Sequence, residues 1–314
     1  MSRLRRMMAT VLGGGGVSVT YSISGVVYDA DGTTPVAGAT ITLGALSAIS
    51  AANGTYTVSG VAVGASGSMT CTLTGYSWTT ITISAMSANL TAQNYTNAWW
   101  AAGGSAAKIS AVYKPKGAAN LAASYLRIAG SGGNANLDPA VVGVGVAPTW
   151  NATNGWIFNG TTQFLSTGIV PANNQGWGMV IKWSNPHATS IFVALAGVSH
   201  AAGEGFMTPL RRDLTPDSYN YYNGGLLLLT GVRTAESGCS AVSGNKGYFN
   251  GAAETGTIPT SVTPNTLDIY IGTAHVAAGA YFAARQDCYI QAIAIYSTAP
   301  TAAQILAISA AIDP

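Results

Sequence analysis

Acid–base chemistry in this chain would have to come from a few carboxylates, among them Glu204, Asp213, Asp217, Glu236, Glu254, Asp268 and Asp287. Hydrolysis of a glycosidic bond needs two carboxyl groups held roughly 5 to 9.5 Å apart. These seven are scattered, and the closest pair, Asp213 and Asp217, is separated by Pro216. No G-x-S-x-G turn presents a nucleophilic serine. The four glycines at 13–16 lack the lysine and helix of a phosphate-binding loop. These absences lead to the expectation that the chain is not an enzyme and has no catalytic residues.

Binding chemistry is better represented. Asp213 and Asp217, with Asn220 and Asn223 nearby, form a local cluster of oxygen donors of the kind calcium takes, set against the alternative of an exposed polar loop. Calcium is thus the one cofactor the sequence suggests. The same segment, read as a loop, holds Tyr219, Tyr221 and Tyr222 beside Arg211 and Arg212. Such a patch suits a sugar face or a subunit interface, and the interface is the preferred use. Trp99 and Trp100 leave a similar pair of readings open, a sugar-stacking platform or a plug in a seam between domains or subunits. Cys71, Cys239 and Cys288 match no metal-site spacing and read as buried apolar residues, with a Cys239–Cys288 bridge as the alternative.

Composition sets the frame for these residues. Hydrophobic residues make up 48% of the 314 positions, charged residues only 8%, and glycine fills 39. A charged fraction this far below the usual ~25% excludes a highly charged disordered chain and points to short strands joined by tight turns. Arg3, Arg5 and Arg6 carry three of the 13 basic groups, so the remaining 10 face 11 acidic ones. The body is therefore near neutral, with no basic stripe for nucleic acid. No run reaches the length of a membrane span. The first 16 residues read as a basic arm on a glycine hinge, with a frayed terminus as the alternative, rather than as a secretion signal, because the apolar stretch is short. Residues 32–107 hold no Asp, Glu, Lys or Arg, which suits a segment covered within an assembly.

Strand signals recur about every ten residues from Val17, with a hairpin expected at Asn53-Gly54, and residues 17–97 read as one small β-sandwich. Gly25 to Asp29, Asp31-Gly32, Pro35, Gly38-Ala39 with Leu43, Asn53-Gly54 with Tyr56, and Gly75-Tyr76 follow a G-x-V-x-D, D-G, P-x-x-G-A, D-G-x-Y, G-Y order. In this the segment resembles the carboxypeptidase regulatory-like family, a transthyretin-like or immunoglobulin-like sandwich that implies assembly or spacing, not catalysis. Residues 98–107 read as a linker. Residues 108–314 hold strand-like segments at 155–158, 163–167, 178–183, 190–196, 226–230, 247–250, 267–271 and 289–296, the last with both parities apolar. A helix is predicted after Thr301, on the apolar stripe of Ala303, Ile305, Leu306, Ile308 and Ile312.

This second half resembles the laminin-G-like or concanavalin A-like jelly rolls. The resemblance rests on Trp150, on Gly155 to Gly160 with Phe164 to Thr167, on Gly247 to Gly251, on Asp268 to Gly272, and on Ile290 to Tyr296 with the Thr301 helix. It implies lectins and glucan hydrolases as kin, yet the E-x-D-x-x-E strand pattern of the hydrolases is missing. The expected fold class is all-β, a small immunoglobulin-like sandwich followed by a larger jelly roll with a short C-terminal helix. The combination suggests a bacteriophage virion surface protein: a capsid decoration, head-fibre or tail-associated subunit. Its expected partners are other virion proteins, further copies of itself with a trimer favoured, and host surface polysaccharide. Arg3, Arg5 and Arg6 would serve as the assembly arm. The alternative is a bacterial cell-surface adhesin that binds glycans.

Overall fold

A computed structural model describes residues 18–172, 175–184, 193–199, 205–211, 218–223, 226–230, 237–259, 266–276, 279–281 and 288–312. The fold is all-β, as composition requires, with a C-terminal helix. Seven strands come first: β1 (Thr20–Tyr28), β2 (Thr40–Leu43), β3 (Leu46–Ile49), β4 (Thr55–Ala62), β5 (Gly67–Thr72), β6 (Ile81–Ile83) and β7 (Tyr95–Thr96). They form two facing sheets of order β4-β1-β7 and β3-β2-β5-β6. Alternation along β4 buries Tyr56, Val58 and Val61 against Ile41 and Met69 of the opposite sheet.

The Asn53-Gly54 turn departs from expectation. β3 pairs with β2, and β4 pairs with β1, so the turn carries the chain from one sheet to the other and closes no hairpin. The hairpin lies one strand earlier, where Leu43 faces Leu46 across Gly44 and Ala45. Gly44 supplies the positive φ such a two-residue turn needs.

Residues 98–107, expected as a linker, form 3-10 turns at Trp99–Gly104, kinked at Ala102 and Gly103, and at Ala106–Lys108. Beyond them come β8 (Ile109–Tyr113), β9 (Ala129–Gly130), β10 (Gly145–Val146), β11 (Thr149–Asn151), β12 (Gly155–Phe158), β13 (Phe164–Ser166), β14 (Gly178–Ser184), β15 (Val193–Ser199) and β16 (Gly205–Arg211). The series continues with β17 (Ser218–Asn223), β18 (Leu226–Thr230), β19 (Ser237–Ser243), β20 (Lys246–Phe249), β21 (Ala252–Ala253), β22 (Tyr270–Ile271), β23 (Ala274–Val276), β24 (Gly279–Tyr281) and β25 (Cys288–Tyr296). Among the described residues they build two nine-stranded sheets, with main paths β10-β13-β22-β15-β16-β17-β18 and β11-β12-β25-β14-β19-β20-β21. The strand expected over 267–271 is confined to Tyr270–Ile271.

The two sheets enclose one core, in which Trp156, Met179 and Trp183 of one meet Leu165, Phe206 and Ile271 of the other. β25 is covered on both faces, as its doubly apolar pattern requires. Ile290, Ile293 and Ile295 enter the inter-sheet core, while Ala292, Ala294 and Tyr296 face the helix. Between Ile290 and Ala292 the register with β14 shifts at Gln291, and this extra residue changes which parity points inward. The helix Ala302–Ala311 lays Ile305 and Ile308 on that outer face. Its start is fixed by a capping box: Gln304 N donates to the Thr301 hydroxyl at 3.3 Å, and Thr301 N donates to Gln304 Oε1 at 3.0 Å.

Candidate functional site

The residues singled out by sequence fall in three places. Arg3, Arg5, Arg6, Arg212, Asp213 and Asp217 lie outside the described residues. Tyr219, Tyr221 and Tyr222 belong to β17, so the loop expected around them is a strand. The apolar run of β18 needs a hydrogen-bonding partner, and the β-prone tyrosines of β17 provide it, with Tyr219 opposite Leu229, Tyr221 opposite Leu227 and Tyr222 opposite Leu226. On its other side β17 pairs with β16, which ends at Arg211. The backbone thus gathers Arg211 and the three tyrosines onto neighbouring strands next to the end of one sheet path, while their side chains lie outside the described residues.

Trp99 and Trp100 sit on the first 3-10 turn, edge to face at 5.7 Å, and pack partly buried against the cluster beneath the C-terminal helix. Tyr296 donates its hydroxyl to the Trp100 carbonyl at 3.1 Å. Beside them, the Asp29 carboxylate ties the two halves of the chain together. One oxygen accepts from Asn97 Nδ2 at 2.8 Å and the other from Gly103 N at 3.0 Å. The sequence offers Trp99 and Trp100 as a plug in such a seam but not Asp29 as its tie, although Asp29 is the last acidic residue but one before the uncharged span.

A groove of about 620 Å³ opens beside β2 and β5, where Tyr76 and Trp78 stand with Thr40, Thr72, Thr74 and Ser77. The two rings stack at 5.1 Å, only 3° from parallel. In the sequence Gly75-Tyr76 has a structural role only, and Trp78 carries no motif. The signal available was an aromatic pair at i, i+2 among hydroxyl residues.

A second cluster centres on Asp268. One carboxylate oxygen accepts the Ser166 hydroxyl at 2.6 Å and Gly168 N at 3.1 Å, and the other lies 3.0 Å from His275 Nδ1. The imidazole stacks on Tyr270 at 3.9 Å, and Tyr270 on Phe164 at 4.5 Å. Here the serine proton goes to the carboxylate rather than to the imidazole, so the acid clamps both side chains. Ser166 and His275 were not singled out by sequence.

Among the described residues no group of three His, Cys, Asp or Glu side chains is placed to hold a metal ion. Cys71 and Cys239 are free and buried, which removes the Cys239–Cys288 bridge. Burial pushes their thiols up to about 12 and about 11, respectively. No helix among the described residues is long and apolar enough to cross a membrane.

No family model matches the chain, and no curated protein matches it either. Solved structures do align. Trypanosoma rangeli sialidase in complex with sialic acid is 12% identical over 86% of this chain and 44% of its own, with a TM-score of 0.40. Domain 4 of an extracellular arabinanase from Geobacillus stearothermophilus, in complex with arabinotriose, is 14% identical over 64% of this chain and 98% of its own, at 0.43. The botulinum neurotoxin serotype G binding domain is 10% identical over 64% and 50%, also at 0.43. The chain spans between 32% and 44% of the length of the first sialidases it matches.

These comparisons correct one expectation. The expectation that the chain is not an enzyme meets aligned structures that are sialidases, which are enzymes. At such TM-scores the likeness assigns no activity to this chain.

Proposed function

We propose that this chain is a structural surface protein of a bacteriophage virion, a capsid decoration, head-fibre or tail-associated subunit, and that its larger sandwich touches host glycans. The observation that carries the glycan contact is the gathering of Tyr219, Tyr221 and Tyr222 on β17 beside β16, which ends at Arg211. Tyrosine rings stack on the C–H face of a sugar, and a guanidinium donates to its hydroxyls. The virion assignment is supported by the uncharged span of residues 32–107, which suits burial among neighbouring subunits, and by the basic arm of Arg3, Arg5 and Arg6 as a docking element. Self-association, with a trimer favoured, belongs to the same reading.

Two measurements test it. Mass spectrometry should find the chain in purified virions and not in the cell-surface fraction; the reverse distribution would favour an adhesin. Tyr221→Ala should weaken adsorption to host polysaccharide by up to about tenfold for a single contact worth about 1 kcal/mol, less where display is multivalent. Unchanged adsorption would remove the glycan contact and leave a purely structural subunit.

A further inference from the structure

We infer that the small sandwich holds a second binding site, the groove at Tyr76 and Trp78, and that it takes a neutral carbohydrate. This aromatic wall is firmly held. Trp78 donates its indole N–H inward, to the Tyr28 carbonyl at 3.1 Å. Ser77, between the two rings, is tied at both backbone groups: its N–H donates to Asn97 Oδ1 at 2.9 Å, and its carbonyl accepts from Ala98 N at 2.9 Å. Tyr76 lies against Gly104, where an added Cβ would stand 3.4 Å from the ring. The pair is therefore positioned before any ligand arrives, which lowers the ordering cost of binding.

The wall also specifies what it can hold. Thr40, Thr72, Thr74 and Ser77 bring hydroxyls to the groove, and every residue around it belongs to the uncharged span. An anionic ligand would lose its water without meeting an opposite charge, and the Asp29 carboxylate, whose charge reaches Tyr76, would oppose it. A wholly apolar ligand would cover hydroxyls and leave them unpaired. A neutral sugar satisfies both surfaces, its C–H face against the rings and its hydroxyls toward the threonines and serine. With Trp78's only polar atom committed to Tyr28, that ring has carbon surface alone to offer. The volume, about 620 Å³, falls inside the range of roughly 300 to 1,000 Å³ found for small-ligand sites. This site lies on other strands than the tyrosines of β17 and does not depend on them.

The test uses the full chain, with maltohexaose, cellohexaose and mannohexaose as neutral probes and a galacturonic acid hexamer as the charged one. Saturation-transfer NMR and calorimetric titration should show saturable binding of at least one neutral hexamer and none of the charged one. Thr74→Arg, at an exposed rim position, should reduce that affinity by about tenfold or more with an unchanged melting temperature. Tyr76→Leu, which keeps bulk but removes the ring, should weaken it as well. The same loss with Thr74→Arg is expected in a Tyr221→Ala background, where the contact proposed for β17 is removed. The inference is overturned if no neutral hexamer binds saturably, if the charged hexamer binds equally well, or if binding survives Thr74→Arg in that background. Loss with Tyr221→Ala and retention with Thr74→Arg would place the sugar on β17 and refute the groove.

Discussion

The Ser166 hydroxyl donates to Asp268 at 2.6 Å across 102 positions of chain. That bond joins the end of β13 to the segment leading into β22, which are neighbours in one nine-stranded sheet. The same carboxylate oxygen accepts Gly168 N, and its partner oxygen faces His275. Asp268 is largely buried, with 18% of its side chain exposed, and three groups depend on it.

Replacing Asp268 with alanine is expected to destabilise the fold by about 1 to 3 kcal/mol, because it strands the Ser166 hydroxyl and the Gly168 amide together. Urea denaturation reads this directly. Ser166→Ala, which removes a donor and leaves the carboxylate its other partners, should cost less. Equal stability of Asp268→Ala and the parent chain would show that water replaces all three contacts.

Asp31 supplies a pH dependence. Its carboxylate accepts from the Thr34 hydroxyl at 2.5 Å and from the amides of Thr33 and Thr34 at 2.9 and 2.8 Å. The Thr34 hydroxyl bond is the main reason its pKa falls to about 2. A carboxyl group depressed in the folded state contributes stability that is complete above its unfolded pKa, near 4, and lost as pH falls through about 2. Urea midpoints of Asp31→Asn and the parent should therefore differ more at pH 5 than at pH 2. A constant difference across that window would mean that Asp31 acts by shape alone.

How much of this could be read from sequence depends on how local each feature is. Thr301 and Gln304 make the C-terminal helix legible because a capping box is complete within four residues. The leucines of β18 and the Asn250-Gly251 turn are legible for the same reason. Asn53-Gly54 shows the limit: its turn chemistry was recognised, but the sheet that receives β4 is decided by β1, more than 25 positions earlier. The tyrosines of β17 cluster in sequence but read there as a loop, since only pairing with β18 makes them a strand. Ser166, Asp268 and His275 meet through sheet order, and no spacing rule reaches across it. Tyr76 and Trp78 become a platform only through anchors at Tyr28, Asn97 and Gly104, each in a different segment.

Removing the helix cap provides a local test. Thr301→Ala takes away the acceptor for Gln304 N and should cost about 1 kcal/mol. Because the helix covers Ala292, Ala294 and Tyr296 of β25, hydrogen exchange should quicken at Ile305 and Ile308 before the inter-sheet core around Trp156 responds. Simultaneous loss of protection in both regions would mean that helix and sheets unfold as one unit.

The inter-sheet crossing at Gly54 gives a matched pair of substitutions. Gly54 and Gly60 have nearly the same backbone, with φ of +75° and +77°. Their surroundings differ. A Cβ at Gly54 would stand 2.6 Å from the Val27 carbonyl oxygen and 3.0 Å from Pro35, whereas at Gly60 nothing lies within 4 Å. Gly60→Ala should therefore show the backbone strain alone, about 1 to 2 kcal/mol for a left-handed residue with a side chain. Gly54→Ala adds displacement of β1 from the turn, since Val27 N donates to the Gly54 carbonyl at 2.9 Å and would have to move with it. Its loss of stability should exceed that of Gly60→Ala by at least about 1 kcal/mol, the typical value of the hydrogen bond at risk. If chemical denaturation gives the two variants the same stability, the close approach of Gly54 to β1 is not what fixes the crossing between the sheets.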